Sequence, residues 1–327
     1  MTAPILMARG LVQTYPGRPT GFWSRQTIRA VDEVDLDVSE GEILAIVGES
    51  GSGKTSVARL LLNLRMPSSG TIAYRGVDLR RADKRAYRRE VQAVFQDPAS
   101  SLNPRMRVAT ALSHVAVRHG LASGADIARL IARHLRAVGL DPPENYMLRF
   151  PHQLSGGQQQ RVAIARAMML DPRVIIADEP LSSLDISVQT QLLELMKELK
   201  EKANVGFVLI SHDLNAVEAI ADRVVVMYRG RIVEAGRNVL AKPRHPYTRA
   251  LVDARLIPDP KLARCKQRII LDGDALSSTI VGGCRFRNRC PLAVSVCAAE
   301  DPPLRPVDRD GSLAACHLVE PVANPFA

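Results

Sequence analysis

The chain has 327 residues, of which 46% are hydrophobic, and it carries a formal net charge of +10. A chain of this length can bury a full hydrophobic core and can form more than one domain. It has no apolar run near the ~18 residues that a transmembrane helix requires, and its N-terminus lacks the basic-then-apolar layout of a secretory signal. The sequence therefore predicts a protein of the cytosol or of the cytosolic face of a membrane.

The first part of the chain, residues 5–47, is rich in strand signals. Short alternation of apolar and polar residues occurs over Leu11–Thr14 and Val31–Val38. Between them, the proline and glycine content of Pro16–Arg29 predicts a loop insertion. Tyr15 ends a strand in this prediction, and its ring could support an adenine base. A half-buried strand tyrosine would show the same pattern, so both interpretations stay open.

A phosphate loop follows the apolar run Ile43–Val47. The segment Gly48-Glu49-Ser50-Gly51-Ser52-Gly53-Lys54-Thr55 has the G-x-x-x-x-G-K-T pattern and precedes the predicted helix Ser56–Asn63. The glycines let backbone N–H groups approach an anion, Lys54 can reach the outer phosphates, and the Thr55 hydroxyl can hold Mg²⁺. The sequence therefore predicts a nucleoside triphosphate site. Its contacts are expected from Gly48, Ser50, Gly51, Ser52, Gly53, Lys54, Thr55 and Ser56.

The middle of the chain combines strands with a helical stretch. Thr71–Arg75 and Val91–Phe95 read as strands on either side of a basic segment, residues 80–89, in which Tyr87 is the one aromatic residue. A basic segment can bind nucleic acid, but this one has no repeat, and we interpret it as the solvated face of a helix. Apolar residues at three- and four-residue spacing then predict helices over Met106–Gly139.

Three further apolar runs complete the predicted sheet. They are Val174–Ala177, Val205–Ile210 and Val224–Met227, and their continuous β-branched character is typical of parallel strands buried on both faces. With helices between them, the chain is predicted to form a doubly wound α/β fold.

A second anion-binding helix start lies about one hundred residues after the first. Leu154-Ser155-Gly156-Gly157-Gln158 precedes a predicted helix that runs to Met169. Ser155 can cap this helix, and the two glycines would let a phosphate approach the N–H groups of its first turn.

The Leu154–Gln158 pentapeptide, together with the phosphate loop, resembles the ATP-binding subunit of an ATP-binding cassette (ABC) transporter. The resemblance implies a RecA-like P-loop ATPase core with an N-terminal antiparallel β subdomain, a helical subdomain over about residues 106–170, and a small cysteine-containing C-terminal extension. It places the ATPase domain at residues 1–241 and the extension at residues 242–327.

The other family motifs occur in the same order. Val174–Pro180 resembles the Walker B strand, Ser183-Leu184-Asp185 the D-loop, and Gln96 the Q-loop glutamine. The resemblance implies that Thr55, Gln96 and Asp178 hold Mg²⁺. It also implies that Glu179 is the general base for the attacking water, that His212 contacts the γ-phosphate, and that Gln96 contacts the metal and the water.

Two ATPase domains of this family pack head to tail around ATP. Each nucleotide then lies between the phosphate loop of one chain and the pentapeptide of the other. For this sequence, the resemblance assigns the contacts in trans to Ser155, Gly156, Gly157, Gln158 and Asp185.

Three further segments narrow the resemblance to one group within this family. His245–Leu251, and Phe95–Pro98 with Ser101–Arg105, are similar to dipeptide, oligopeptide and nickel importers. The implied function is ATP-driven import of peptides or a similar small solute from the cytoplasmic face of the cell membrane. The implied partners are a homologous second ATPase subunit, two transmembrane permease subunits and an extracytoplasmic solute-binding protein, with no nucleic acid. The alternatives are a soluble ABC ATPase acting on nucleic acid or the ribosome, and an exporter ATPase.

Four of the five cysteines occur after residue 280: Cys284, Cys290, Cys297 and Cys316. In a cytosolic chain, such a group suggests a metal site more than disulfides. Their gaps of five, six and eighteen residues lack the paired C-x-x-C units common in zinc sites, which favours a [4Fe-4S] cluster over zinc. Thiols packed as small hydrophobic groups are the remaining alternative. Cys265 is left unassigned.

Overall fold

A large mixed sheet forms the centre of the structure, a computed structural model that describes residues 3–19, 25–97, 101–255 and 282–322. In the described residues its eight strands follow the order β11-β12-β10-β9-β3-β8-β7-β6. Their bounds are β3 (Ile43–Val47), β6 (Val91–Val94), β7 (Val174–Asp178), β8 (Gly206–Ile210), β9 (Arg223–Tyr228), β10 (Arg231–Gly236), β11 (Arg305–Pro306) and β12 (Leu313–Ala314).

The core of this sheet is parallel and is covered on both faces. β3 pairs in parallel with β8 and β9, and β7 pairs in parallel with β8 and β6. Along β3, Ile43, Ala45 and Val47 belong to one hydrophobic cluster, whereas Leu44 and Ile46 belong to a second. Because neighbouring strand residues point to opposite faces, the unbroken apolar run supplies both clusters. This arrangement confirms the predicted doubly wound fold.

Helices follow most of the strands. They are α1 (Lys54–Leu61), α2 (Lys84–Glu90), α3 (Val108–Arg118), α4 (Asp126–Ala137), α5 (Glu144–Met147), α6 (Gly156–Met168), α7 (Ile186–Ala203), α8 (Leu214–Ile220), α9 (Pro246–Asp253) and α10 (Ser295–Ala299). α3 and α4 lie within Met106–Gly139, where helices were predicted, and the helical subdomain over about residues 106–170 stays a prediction. α2 exposes its basic residues and buries Tyr87, as predicted for a solvated face. None of the helices that the structure describes has the length and apolar character needed to cross a bilayer.

A second, four-stranded antiparallel sheet has the order β2-β1-β4-β5. Its strands are β1 (Leu6–Pro19), β2 (Arg25–Val38), β4 (Ser69–Tyr74) and β5 (Val77–Asp78). The predicted loop over Pro16–Arg29 is wrong for residues 16–19 and 25–29, because Tyr15 pairs with Ile28 and Pro16 with Thr27 in a long β-ribbon. The rest of that range, residues 20–24, lies outside the described residues. The pairing register shifts between Pro16 and Pro19, and proline is tolerated in strands at such irregular edge positions.

The C-terminal segment, residues 282–322, packs directly against β9, β10 and α9. β12 pairs with β10, with Glu234 opposite Ala314. Tyr228 of β9, Tyr247 of α9 and Phe286 form an aromatic cluster with ring centroids 4.6 to 5.5 Å apart. Buried aromatic side chains contribute large apolar areas, so this cluster fixes the segment to the sheet. The domain boundary after residue 241 stays a prediction.

Candidate nucleotide-binding site

The predicted site residues lie far apart in the chain but follow neighbouring parallel strands. The phosphate loop comes after β3, Gln96 after β6, Glu179 after β7, and His212 after β8. Parallel strands present their carboxyl ends at one edge of the sheet, and ligands of open α/β sheets bind at that edge. The topology therefore brings these four parts of the sequence to one side of the molecule.

Close backbone packing explains two of the loop glycines. Gly48 has φ 149° and Gly53, the residue before α1, has φ 109°. A Cβ atom at Gly48 would lie 2.2 Å from the Met227 carbonyl oxygen, and one at Gly53 would lie 2.2 Å from the Ala30 carbonyl oxygen. Both the conformation and the lack of space require glycine, so the loop is tightly held between β2 and β9.

Lys54 is buried inside the curve of the loop. Its Nζ donates hydrogen bonds to the carbonyl oxygens of Gly48, at 2.7 Å, and Glu49, at 2.9 Å. Burial lowers the pKa of Lys54, although the nearby carboxylates of Glu179 and Asp178 oppose this effect. The ammonium group thus already lies where the loop would receive the outer phosphates.

Thr55 and Asp178 form a hydrogen-bonded pair of oxygen-bearing side chains at the end of the loop. The Thr55 hydroxyl donates a hydrogen bond to Asp178 Oδ1 at 3.3 Å. Burial, followed by the charge of Glu179, raises the pKa of Asp178, so a cation here would favour its ionised form. The described residues include no group of three or more His, Cys, Asp or Glu side chains able to hold a metal ion. Mg²⁺ needs fewer protein ligands than that, because it keeps waters and binds substrate phosphates.

Glu179 is fixed in an uncommon backbone conformation. Its φ is 48°, its N–H donates to the Ile210 carbonyl at 2.9 Å, and its carbonyl accepts the Ser182 hydroxyl at 3.1 Å. Glu179 Oε2 lies 3.4 Å from His212 Nδ1, and both side chains retain solvent access. A left-handed conformation at a non-glycine residue is costly and is typical of functional sites. The arrangement places a carboxylate and an imidazole, both accessible to solvent, at the carboxyl ends of β7 and β8.

The other predicted contacts on this side of the site are Gln96 and Tyr15. Gln96 is exposed after β6, and the Gln160 side chain of α6 donates to the Phe95 carbonyl at 3.5 Å, which links this strand end to the helical subdomain. The Tyr15 hydroxyl donates to Ser56 Oγ at 3.4 Å, and the Arg65 guanidinium lies 4.9 Å from the Tyr15 ring centroid. Tyr15 is therefore next to α1, and its role as an adenine support stays a prediction.

The second helix start has the geometry of a capping box. Ser155 Oγ accepts the Gln158 N–H at 3.3 Å, and Gln158 Oε1 accepts the Ser155 N–H at 3.1 Å. A Cβ atom at Gly157 would lie 2.3 Å from Val188 Cγ1 of α7. Packing against α7 thus requires this glycine even without a ligand. Ser155, Gly156 and Asp185 are exposed on the chain surface.

Sequence reasoning missed two groups that contact the phosphate loop from the C-terminal part of the chain. The Glu49 N–H donates to the Tyr247 hydroxyl at 2.9 Å, and the Glu49 carboxylate accepts two hydrogen bonds from Arg289, at 2.8 and 3.0 Å. Arg289 is separated from Glu49 by 240 residues. No periodicity or motif in the sequence connects them.

The four late cysteines are free thiols in one small segment. The Cys284 N–H donates to the Cys297 carbonyl at 2.8 Å. Burial, together with the neighbouring Cys297 and Cys290, raises the pKa of Cys284 to about 11, and burial also raises the pKa of Cys290. These two thiols are thus neutral at pH 7, and a metal would have to displace their protons. In the part of the chain that the structure describes, no three of these cysteines are grouped closely enough to hold a metal ion. Cys265 lies outside the described residues.

Comparison with known proteins gives matches over nearly the full chain. Residues 31–182 match the family described as ABC transporter, and residues 233–297 match the oligopeptide/dipeptide transporter C-terminal region. A probable peptide ABC transporter ATP-binding protein, y4tS of Sinorhizobium fredii, is 44% identical over 99% of this chain and 92% of its own length. The dipeptide transport ATP-binding protein DppF of Escherichia coli is 42% identical over 98% of this chain and 96% of its own length.

Solved structures agree on the architecture. The ATP-binding cassette MJ0796, described as a dimer in a post-hydrolysis state bound to ADP and Pi, is 27% identical with a TM-score of 0.61. The match covers 71% of this chain and 98% of that one. The cbiO1 protein of Clostridium perfringens, described as part of the transporter complex cbiONQ, is 26% identical with a TM-score of 0.63, over 73% of this chain and 91% of that one.

Proposed function

Since this chain belongs to the family of ABC transporter ATP-binding proteins and is an ATPase, we propose that it powers the import of peptides or a similar small solute. The observation that supports this most directly is the full-length similarity to y4tS and DppF, whose names describe peptide and dipeptide transport. The match of residues 233–297 to the oligopeptide/dipeptide transporter C-terminal region supports it independently. None of these relatives supports the nucleic-acid or exporter alternatives.

In the proposed reaction, the chain's own residues bind, orient and deprotonate. The loop N–H groups and Lys54 bind the triphosphate, while Thr55, Asp178 and Gln96 provide oxygen ligands for Mg²⁺. Magnesium, when bound, neutralises charge that develops on the phosphates. Glu179 accepts a proton from the attacking water, and His212, 3.4 Å from it, orients that carboxylate and faces the γ-phosphate. Catalysis then depends mainly on positioning and charge stabilisation.

The site is completed by a second ATPase chain in this proposal. Ser155, Gly156 and Asp185 are exposed, and Ile186, which begins α7 next to Asp185, is 81% exposed. An exposed apolar side chain such as Ile186 is suited to burial against another molecule. The exposed start of α6 at Ser155 and Gly156 is suited to binding an anion. In trans, Ser155, Gly156, Gly157, Gln158 and Asp185 would contact the nucleotide held by the partner's phosphate loop.

A basic groove next to the Q-loop supports contact with the permease subunits. This cavity of about 840 Å³ lies between α2, β6, α3 and α6, and its walls include Arg85, Arg88, Arg118 and His119. Phe95, one residue before Gln96, is 36% exposed in the same groove. Complementary charge favours an acidic cytosolic helix or loop as the occupant. A permease segment here would touch the strand end that carries Gln96, and the chain would be peripheral to the cytoplasmic face of the membrane.

The transport proposal is tested by reconstitution. We expect the chain, combined with its second ATPase subunit, permeases and solute-binding protein in proteoliposomes, to accumulate labelled peptide only when ATP is present on the ATPase side. The control is the same assembly with Glu179→Gln. Peptide-independent hydrolysis with no uptake of any peptide or small solute would contradict the proposed function, as would stimulation by nucleic acid instead of the binding protein.

We also propose that the cysteine segment holds a metal centre, with Cys284, Cys290, Cys297 and Cys316 as the ligands. Four free thiols in one small segment, close enough to affect one another electrostatically, support this. The thiols would have to draw together and lose protons on binding, since they are not arranged as a metal site in the described residues. The ligand spacing favours a [4Fe-4S] cluster, with zinc as the alternative.

The metal proposal predicts a defined composition. Protein purified without oxygen should contain iron and acid-labile sulfide in equal amounts, and Cys290→Ser should lose most of both. The exposed Ser295→Ala, in the same segment, is the matched control and should keep them. If the purified protein contained zinc and no sulfide, the site would be a zinc site and not an iron–sulfur cluster. Protein that contained neither iron nor zinc would refute the proposal.

A further inference from the structure

The phosphate loop is held from the C-terminal segment, residues 282–322, through one ion pair. We propose that Arg289 is a positioning residue for nucleotide binding: by pairing with Glu49, it makes ATP affinity depend on the C-terminal segment. This inference rests on ATP binding at the phosphate loop, and it does not depend on which solute is transported. Glu49 is the second residue of the loop and Arg289 belongs to the short turn Arg287–Arg289, which lies between Cys284 and Cys290.

The contact has the geometry of a bidentate ion pair. The two Nη atoms of Arg289 each donate to a different oxygen of the Glu49 carboxylate, at 2.8 and 3.0 Å. The Arg289 side chain is only 10% exposed and that of Glu49 is 27% exposed. Parallel, charge-assisted hydrogen bonds that are largely shielded from water are among the stronger polar contacts in proteins. The pair is therefore built to keep Glu49 in one orientation.

Glu49 is a negatively charged residue within the phosphate loop. The Glu49 carbonyl oxygen accepts a hydrogen bond from Lys54 Nζ at 2.9 Å, so Glu49 is in direct contact with the lysine that is proposed to bind the phosphates. A carboxylate on this residue would repel a triphosphate, which carries several negative charges. Arg289 offsets this charge through its two hydrogen bonds to the carboxylate, so the loop can accept an anion in spite of its own acidic residue.

The main chain of Glu49 is fixed from the same side. Its N–H donates to the hydroxyl of Tyr247, which is fully buried and packs on Tyr228 and Phe286. Phe286 lies three residues before Arg289, so one small unit of the C-terminal part holds both the side chain and the amide of Glu49. A displacement of the Arg287–Arg289 turn would therefore reach the loop directly through the ion pair, and indirectly through the packing of Phe286 on Tyr247.

A second arginine of the segment forms hydrogen bonds to β2, the strand that packs against the loop. Arg285, next to Cys284, donates to the carboxylate of Asp32, which is 1% exposed, and to the Arg229 carbonyl. The Asp32 N–H donates to the Gly230 carbonyl at 2.9 Å, and the Gly230 N–H donates to the Ser52 carbonyl at 2.8 Å. The segment thus reaches the loop at two points, near its second residue and near Ser52.

The test is a double-mutant cycle on ATP affinity. ATP dissociation constants are measured for the full chain by titration with a fluorescent ATP analogue at two salt concentrations. We expect Arg289→Met to weaken binding about tenfold at low salt, and less at high salt, because the unpaired Glu49 charge is screened there. Adding Glu49→Gln to Arg289→Met should recover most of the affinity. Arg287→Met, in the same turn, should bind like the wild type.

Unchanged affinity in Arg289→Met would overturn the inference, and so would a double variant that binds as weakly as Arg289→Met alone, since a purely structural role would give that result. If Arg289→Met does not fold, Arg289→Lys is measured instead. Lysine keeps the charge but loses the fork, so binding should be weakened less than tenfold and recovered by Glu49→Gln. Since no transport is measured, failure here leaves the peptide-import proposal unaffected.

Discussion

Glu179→Gln is expected to lower the steady-state rate of ATP hydrolysis by about 10²- to 10⁴-fold while ATP binding is retained, the range typical for loss of a general base. Glutamine has the same shape but cannot accept the proton of the attacking water. The backbone bonds that hold Glu179, to the Ile210 carbonyl and from the Ser182 hydroxyl, do not involve the carboxylate. Phosphate release and the ATP dissociation constant, measured on the same preparation, give the two readouts.

The matched control for this variant is Glu194→Gln, on the exposed face of α7. This variant also replaces one glutamate carboxylate by an amide, but at a position outside the candidate nucleotide-binding site. Its rate of ATP hydrolysis should equal that of the wild type. If Glu179→Gln hydrolysed ATP at the wild-type rate, Glu179 would not be the general base. If it lost ATP binding as well, its main role would be in binding and not in proton transfer.

Ser155→Asp is expected to reduce hydrolysis by at least about 10²-fold without weakening ATP binding to the isolated chain. Aspartate is a good N-cap residue, so α6 should keep its start. The added carboxylate, however, would lie where the γ-phosphate of the partner-bound nucleotide is proposed to be, and it would oppose closure of the two chains. Hydrolysis, ATP affinity and ATP-dependent association by analytical ultracentrifugation are measured together.

Ser155→Asn is the control, because asparagine also caps helices but adds no charge. It should retain association and a larger share of the activity. Equal losses for aspartate and asparagine would point to the serine hydroxyl itself. Full activity in Ser155→Asp would remove the second helix start from the catalytic site.

Local patterns gave much of the fold because each reports on its own surroundings. The apolar run Ile43–Val47 followed by Gly48–Thr55 predicted a buried strand, a phosphate loop and a helix, and the structure has them in that order. Ser155 was predicted as a helix cap and forms a capping box with Gln158. In both cases, the deciding interactions lie within a few residues of the motif.

The errors arose where the decisive contacts were distant. Pro16–Arg29 looked like a loop from its prolines and glycines, but pairing across the ribbon overrides local preference there. Arg289 and Tyr247 could not be related to Glu49 from sequence, because only the folded chain brings their hydrogen-bonding groups together. The packing reason for Gly157, contact with Val188 of α7, was hidden for the same reason.

Whether ATP is enclosed by two chains is measured most directly by a structure of the ATP-loaded Glu179→Gln assembly. We expect each triphosphate, bound at Lys54 of one ATPase subunit, to lie within hydrogen-bonding distance of the serine and glycine N–H groups in the pentapeptide of the other subunit, with Ser155 of this chain in that position at one site. A nucleotide-loaded assembly in which Ser155 faced solvent, remote from both triphosphates, would contradict this expectation.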